Sequence, residues 1–425
     1  MRWRSLLYTA PMFFSTKRLI ALIVLILCSA VVGAQTSTDW PQWRGVNRDG
    51  EVSGFRAPAK WPEALTMKWR HEVGEGYATP IVVGNAVYTF GRPAGGDNEV
   101  VTALDANSGK QLWQVRYAAP YTVVKAAMGH GMGPKAAPVY GDGRLFTFGI
   151  SGILTAIDAK SGKMLWQKPA PEVGPTFTTS QSPLYDRGRL IVHVGGAKSG
   201  ALTAFEPSTG DVKWQWTGDG PSYGSPIVAD LGGTRQIVTF TLDNLVGVSA
   251  ETGELLWLRP FKAPSQVNAG TPVLYRDMIL VSGQDAGITA FRVSREGGKW
   301  VTQDVWENDT VFYRLSNSVI VGNALFGLSP QNRGQFFFLD AATGKTLWVG
   351  EPRTADNAAI AKAGNLLFIF TTGGELIIAD GSVTTALTPI KTYKLAEPPT
   401  WGAPSISGNR IFVKDMNSVS LWTIE

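Results

Sequence analysis

One eleven-residue unit constrains this chain more than anything else in it. Ala103-Leu104-Asp105-Ala106-Asn107-Ser108-Gly109-Lys110-Gln111-Leu112-Trp113 recurs as Ala156-Ile157-Asp158-Ala159-Lys160-Ser161-Gly162-Lys163-Met164-Leu165-Trp166. Three further copies run from Phe205 through Gly210 to Trp214, from Ser249 through Gly253 to Trp257, and from Leu339 through Gly344 to Trp348. Less regular copies end at Trp306 and Tyr393. A self-similar period of 42 to 53 residues excludes a conventional single core and points to stacked supersecondary units.

Each unit reads as four short strands. A small residue before proline opens it (Thr79-Pro80, Ala137-Pro138, Ser182-Pro183, Ser225-Pro226, Thr271-Pro272, Ala403-Pro404), and an apolar strand follows. A turn such as Gly84-Asn85 or Gly322-Asn323 leads into a second strand. The third strand carries the Ala-x-Asp signature and the fourth carries the tryptophan. In the Asp-x-x-Ser/Thr-Gly turn, the carboxylate accepts backbone N–H bonds and the glycine supplies φ > 0. That role accounts for Asp105, Asp158, Glu206 and Asp340 without catalysis.

Counting fourth strands gives Trp69, Trp113, Trp166, Trp214, Trp257, Trp306, Trp348 and Tyr393. The first complete unit starts near Ala78, after Trp69, and the last has only three strands. The expected fold is therefore all-β: an eight-bladed β-propeller of four-stranded antiparallel blades, closed when the N-terminal strand Thr66–Glu72 completes the last blade. The abundance of Gly (48) and Pro (25), with 15 Trp and only 17% charged residues, suits that reading and excludes disorder.

These units resemble the tryptophan-docking repeats of the pyrroloquinoline-quinone-like (PQQ-like) propellers. The resemblance implies that each Trp (69, 113, 166, 214, 257, 306 and 348) docks its blade on the next. Asp39-Trp40-Pro41-Gln42-Trp43-Arg44-Gly45-Val46-Asn47-Arg48-Asp49-Gly50 is similar to the lead-in of secreted bacterial members. Two branches of the family imply different functions. Quinoprotein dehydrogenases bind PQQ and calcium and oxidise alcohols or sugars; BamB-type scaffolds serve the outer-membrane assembly machinery and do no chemistry. The near-minimal blades and the lack of the cysteine pair common in the dehydrogenases favour the scaffold.

The first 34 residues read as a signal peptide. Arg2, Arg4, Lys17 and Arg18 precede an uncharged run from Leu19 to Gly33, and Val32-Gly33-Ala34 offers a small-residue cleavage site. Met12 would give a more ordinary start. Cys28, the only cysteine, sits in Leu25-Ile26-Leu27-Cys28, which resembles a lipoprotein box, but Leu27 is bulky where such boxes want a small residue. Cleavage after Ala34 is preferred to lipidation. It leaves a lead-in segment over 35–63, a propeller over 64–425, no cysteine and no transmembrane span. The expected destination is the periplasm or the exterior. Without the four leader cations, 35 basic residues face 34 acidic ones, so the basic pI is mostly an export signal and no nucleic-acid partner is expected.

Candidate binding residues follow from blade geometry. Residues just before each small-residue/Pro signal begin the innermost strand, near the axis: Tyr77, Lys135, Ser180, Tyr223, Ala269, Leu315, Asn357 and Trp401, with Gln181, Asn268, Arg314 and Asn317 beside them. Aromatics, cations and amides around a mouth can hold a flat polar ligand or a peptide; the alternative is that they simply plug the channel. His130 lies in Gly129-His130-Gly131-Met132-Gly133, within the long loop 117–134, where the glycines would permit close approach to a ligand. His71 and His193 read as structural, and three scattered histidines make no metal site. The residues thus favour a non-catalytic scaffold that recruits proteins or peptides at its loops, with no cofactor. Two alternatives stay open: a PQQ- and calcium-dependent dehydrogenase with Arg314, Lys135 and Trp401 as contacts, and a carbohydrate or small-ligand binder at the same mouth.

Overall fold

A computed structural model of the chain describes Met1 and residues 37–264 and 267–424. The expected signal peptide and Cys28 lie outside the described residues. Among the described residues, no helix is long and apolar enough to cross a membrane.

The strands form eight four-stranded antiparallel sheets, seven of them with their strands in sequence order, as an eight-bladed propeller closed by an N-terminal strand requires. Blades 1 to 7 cover 81–118, 139–168, 184–216, 227–260, 273–308, 319–349 and 358–394. Blade 8 takes three strands from 405–423, and Thr66–Glu72 pairs with Ser418–Thr423 as its outer strand, closing the ring. The second and third strands of most blades are almost wholly buried, whereas the outer strands are largely exposed or half-buried. The apolar clusters accordingly run between neighbouring blades; one joins Phe326, Phe336 and Phe338 of blade 6 to Leu367 and Ile369 of blade 7.

The outer strand carries a β-bulge at the same place in every blade. In blade 1 Ala103 pairs with Trp113 and Leu104 with Gln111, so Leu112 is the extra residue. The same break falls at Leu165, Lys213, Leu256, Val305, Leu347 and Ile390, and at Lys68 in the closing strand. A bulge re-aims the side chain that follows it, and in seven blades that residue is the tryptophan. In blade 7 it is Lys391. Tyr393 falls two residues further on and donates its hydroxyl to the Pro62 carbonyl instead.

Five indoles lie on the turn of the next blade. Trp69, Trp113, Trp166, Trp214 and Trp306 donate to the carbonyls of Ala106, Ala159, Pro207, Ala250 and Ala341, at 2.9 to 3.2 Å. Each accepting residue directly follows the Asp, Glu or Ser that opens its turn. A Cβ on Gly109, at φ +68°, would sit 2.5 Å from the Trp69 ring. Glycine is thus required twice at that position, for the backbone and for the ring above it.

Trp257 and Trp348 depart from the expected docking. Blade 5 has no Asp-x-x-Thr-Gly turn, so the Trp257 indole has no such carbonyl. It bonds Gln236 of its own blade (2.7 Å) and meets blade 5 edge-on at Phe291. The long hairpin of blade 5 (Ile288–Glu296 and Lys299–Asn308) stitches that seam instead: Trp300 covers Gly232, and Asp304 pairs with Arg259 at 2.7 Å. Trp348 faces a seventh blade that also lacks the turn, and Phe338 stands opposite it where blades 1 to 5 have Ala or Gly. It leans on that ring at 6.1 Å.

Candidate ligand site

The N-terminal segment lies across the channel. Trp40 exchanges two backbone bonds with Val82 of blade 1, and the Pro41 carbonyl accepts from Tyr140 of blade 2. Arg48 donates to the carbonyls of Pro183 (2.7 Å) and Ser182 (3.0 Å) at blade 3, and Arg44 to Ser318 (2.7 Å) at blade 6. The Trp43 indole reaches the Thr271 hydroxyl at 3.5 Å, before blade 5. Gly50 and Val52 bond Lys362 of blade 7, and Ser407 of blade 8 donates to Thr38. Every blade but the fourth therefore holds the segment by a hydrogen bond. Burial lowers the Arg44 pKa to about 10 and that of Arg48 to about 9; carbonyls, rather than carboxylate partners, hold both guanidiniums.

This segment divides the channel. On one side lies a polar cavity of about 590 Å³ lined by Arg44, Arg48, Asp49, Asp186, Asp230 and Arg235. On the other lies the axial cavity, about 460 Å³, with Trp43 in its lining.

The structure brings Tyr77, His130, Lys135, Tyr223, Arg314, Asn317, Asn357 and Trp401 together around this axial cavity, along with Ser180, Ala269 and Leu315. Gln181 and Asn268 lie outside it. Successive residues of an extended chain face opposite ways, so their neighbours Ser180 and Ala269 take the axial positions. Gln181 is buried beside His193 and Thr179 around a void of about 10 Å³. Asn268 donates its amide to the carbonyls of Thr241, Leu242 and Phe261. His193, also buried, bonds the Asp219 carbonyl at 3.0 Å, and burial pushes its pKa down to about 4.

Two cations begin opposite blades, Lys135 the second and Arg314 the sixth. The Lys135 ammonium bonds the carbonyls of His130 and Gly131 and stands 5.2 Å from the centre of the Tyr77 ring. Two of its three donors are therefore used. Burial lowers its pKa to about 8, against the opposing charge of Glu75. The Arg314 Nε is buried without a partner, as is the Tyr77 hydroxyl, whose pKa burial raises to about 12. His130 meets Trp401 edge-on at 4.7 Å, and its pKa is lowered by burial and then by Lys135. Among the described residues, no Asp or Glu lines the cavity. Among the described residues, no cluster of three or more His, Cys, Asp and Glu is placed to hold a metal.

Sequence reasoning missed three aromatic residues of the cavity: Trp43, Tyr121 and Phe177. None lies in a repeat. Tyr121 donates to the Phe177 carbonyl at 2.8 Å, and the Phe177 N–H donates to the Tyr223 hydroxyl at 3.2 Å, tying two loops over the cavity. The glycines around His130 fold the loop against blade 1: Gly131 and Gly133 crowd Glu75, whose carboxylate accepts the Met132 N–H.

Comparison with known proteins follows this geometry. A family model described as "Outer membrane protein assembly factor BamB" matches residues 97–350, more than half of the chain. The chain is 25% identical to outer membrane protein assembly factor BamB of Burkholderia pseudomallei over 349 residues, covering 72% of this chain and 85% of that protein. It is 31% identical to the dehydrogenase subunit of a quinone alcohol dehydrogenase from Komagataeibacter europaeus over 147 residues. That match spans 32% of this chain and only 19% of the relative. Quinohemoprotein alcohol dehydrogenase from Comamonas testosteroni superposes with a TM-score of 0.67 at 15% identity, covering 92% of this chain and 81% of that one. This last likeness is one of fold alone.

Proposed function

The chain belongs to the propeller family described as outer membrane protein assembly factor BamB, and from that membership we propose that it is an exported, non-catalytic binding propeller. It recruits polypeptide segments, including parts of the outer-membrane assembly machinery, at the loop-covered end of its ring. One observation carries the reading: the axial cavity is walled by aromatic side chains and two opposed cations, with no carboxylate in its lining. Such a wall binds; it offers no carboxylate pair and no oxygen-rich cage, and His130 is its single imidazole.

The second reading is a dehydrogenase, favoured by the alcohol-dehydrogenase relatives. Lys135, Arg314 and Trp401 suit a flat carboxylated quinone. Calcium does not suit the site, because it takes about six to eight oxygen ligands rich in carboxylate. A carbohydrate binder would use the same aromatic wall.

The test mixes purified, leader-free protein with pyrroloquinoline quinone and calcium, then reads bound quinone by absorbance and dye reduction with alcohols and sugars. Neither signal is expected. Stoichiometric quinone with turnover overturns the proposal. A photo-cross-linker at Met128, an exposed loop residue, should trap polypeptide in cells; a face that traps none also counts against it.

A further inference from the structure

The axial cavity is a dead end. Trp43 and the segment behind it close the channel, and that segment is bonded to seven blades. A polypeptide therefore cannot thread the ring; it can insert only an end or a side chain. The cavity volume, about 460 Å³, falls in the range of about 300–1,000 Å³ typical of small-ligand pockets. That is room for a chain end, not for a folded element.

The charges choose which end. Lys135 and Arg314 face the cavity from opposite sides; among the described residues no carboxylate lines it, and Glu75, behind the lining, opposes Lys135 alone. An amino terminus would meet two like charges, whereas a carboxylate meets two partners. The third donor of Lys135 is unspent, and Arg314 stands in the opposite wall. Trp43 below and Tyr223 and Trp401 at the sides offer aromatic surface to the last side chain. Above them, Val124, Met128 and Val173 are solvent-exposed in the two loops that border the mouth.

We infer that the axial cavity captures the free carboxyl terminus of a polypeptide, preferably one ending in an aromatic or large apolar residue. The carboxylate lies between Lys135 and Arg314, and the terminal side chain rests on Trp43. This rests on the polypeptide-binding reading above and narrows it to chain ends. It also gives the N-terminal segment a place in recognition, as the floor of the site.

The experiment uses an N-terminally labelled decapeptide ending in Phe with a free carboxylate, and its C-terminal amide, followed by fluorescence anisotropy. A hydrogen bond to a charged group in such a site is worth about tenfold or more in affinity. The acid should therefore bind at least about tenfold tighter than the amide. Lys135→Met and Arg314→Met should each erase most of that preference, weakening the acid by far more than the amide. Trp43→Ala should weaken both peptides alike. If a variant does not fold, competition on the wild-type protein decides: N-acetylphenylalanine should displace the peptide and its amide should not. Equal binding of acid and amide overturns end recognition and leaves polypeptide binding standing. No binding of either peptide overturns both.

Discussion

The Arg48 guanidinium and the Pro183 carbonyl meet at 2.7 Å in the middle of the ring, both buried. A second arm of the same guanidinium holds the Ser182 carbonyl, and Arg44 repeats the arrangement across the channel at Ser318. The N-terminal segment is thus part of the ring's hydrogen-bonding system.

Arg48→Met keeps an apolar stem but leaves those two carbonyls without their donor. Orphaned buried polar groups cost about 1–3 kcal/mol each, so a stability loss of about 2–6 kcal/mol is expected. Thermal and urea unfolding measure it. A value near zero would mean that the segment is held by its backbone bonds alone.

Two glycines with like backbones separate ring contact from dihedral strain. Gly84→Ala, at φ +58° with open space around the new Cβ, should cost about 1 kcal/mol. Gly109→Ala, at φ +68° beneath the Trp69 ring, should cost clearly more, because the indole must also move. Equal costs would show that the docked ring gives way freely.

The tryptophans should not be equivalent. Trp214→Ala removes a buried ring and its bond to Ala250, at about 3–5 kcal/mol. Trp348, half-buried and without a turn to dock on, should cost less. Trp257→Phe should behave differently again, since it leaves the buried Gln236 amide oxygen unpaired. Paired denaturation curves distinguish the three.

Glu99 and His193 set opposing pH dependences. Burial raises the Glu99 pKa to about 7, although the Ile150 N–H bonds its carboxylate at 2.7 Å. With a folded pKa above the unfolded one, its contribution is full below about pH 4.5 and is lost as pH rises through about 7. His193 has the reverse sign: its pKa falls to about 4, so stability is lost as pH drops from about 6.5 through 4. Glu99→Gln should be neutral near pH 4 and stabilising near pH 8, by up to about 3 kcal/mol. Its stability should then rise steadily from pH 4 to 6.5. A flat difference across pH would show that Glu99 ionises freely in the fold.

The blade count and the closing strand were legible because the Asp-x-x-Ser/Thr-Gly turn and the tryptophan are spaced by the fold itself. The same logic set ten of its twelve candidate residues around one cavity, where the His130 loop joins them. It failed at Gln181 and Asn268, where strand alternation reverses the facing of adjacent residues. It also overextended the docking rule to Trp257 and Trp348. A tryptophan needs a turn on the neighbouring blade, and that requirement is invisible when each unit is read alone. Trp43, Tyr121 and Phe177 were unreadable for another reason: they belong to segments without period, placed only by the finished ring.

Because Thr66–Glu72 pairs with Ser418–Thr423, the earliest strand waits for the last. During synthesis, blades 1 to 7 can be made while blade 8 has no outer edge. Contacts of such long sequence separation form late and slowly. Until they form, the Trp69 indole has only one of its two blades to lie against. Assembly therefore has a final latch, and everything the axial cavity does must wait for it to shut.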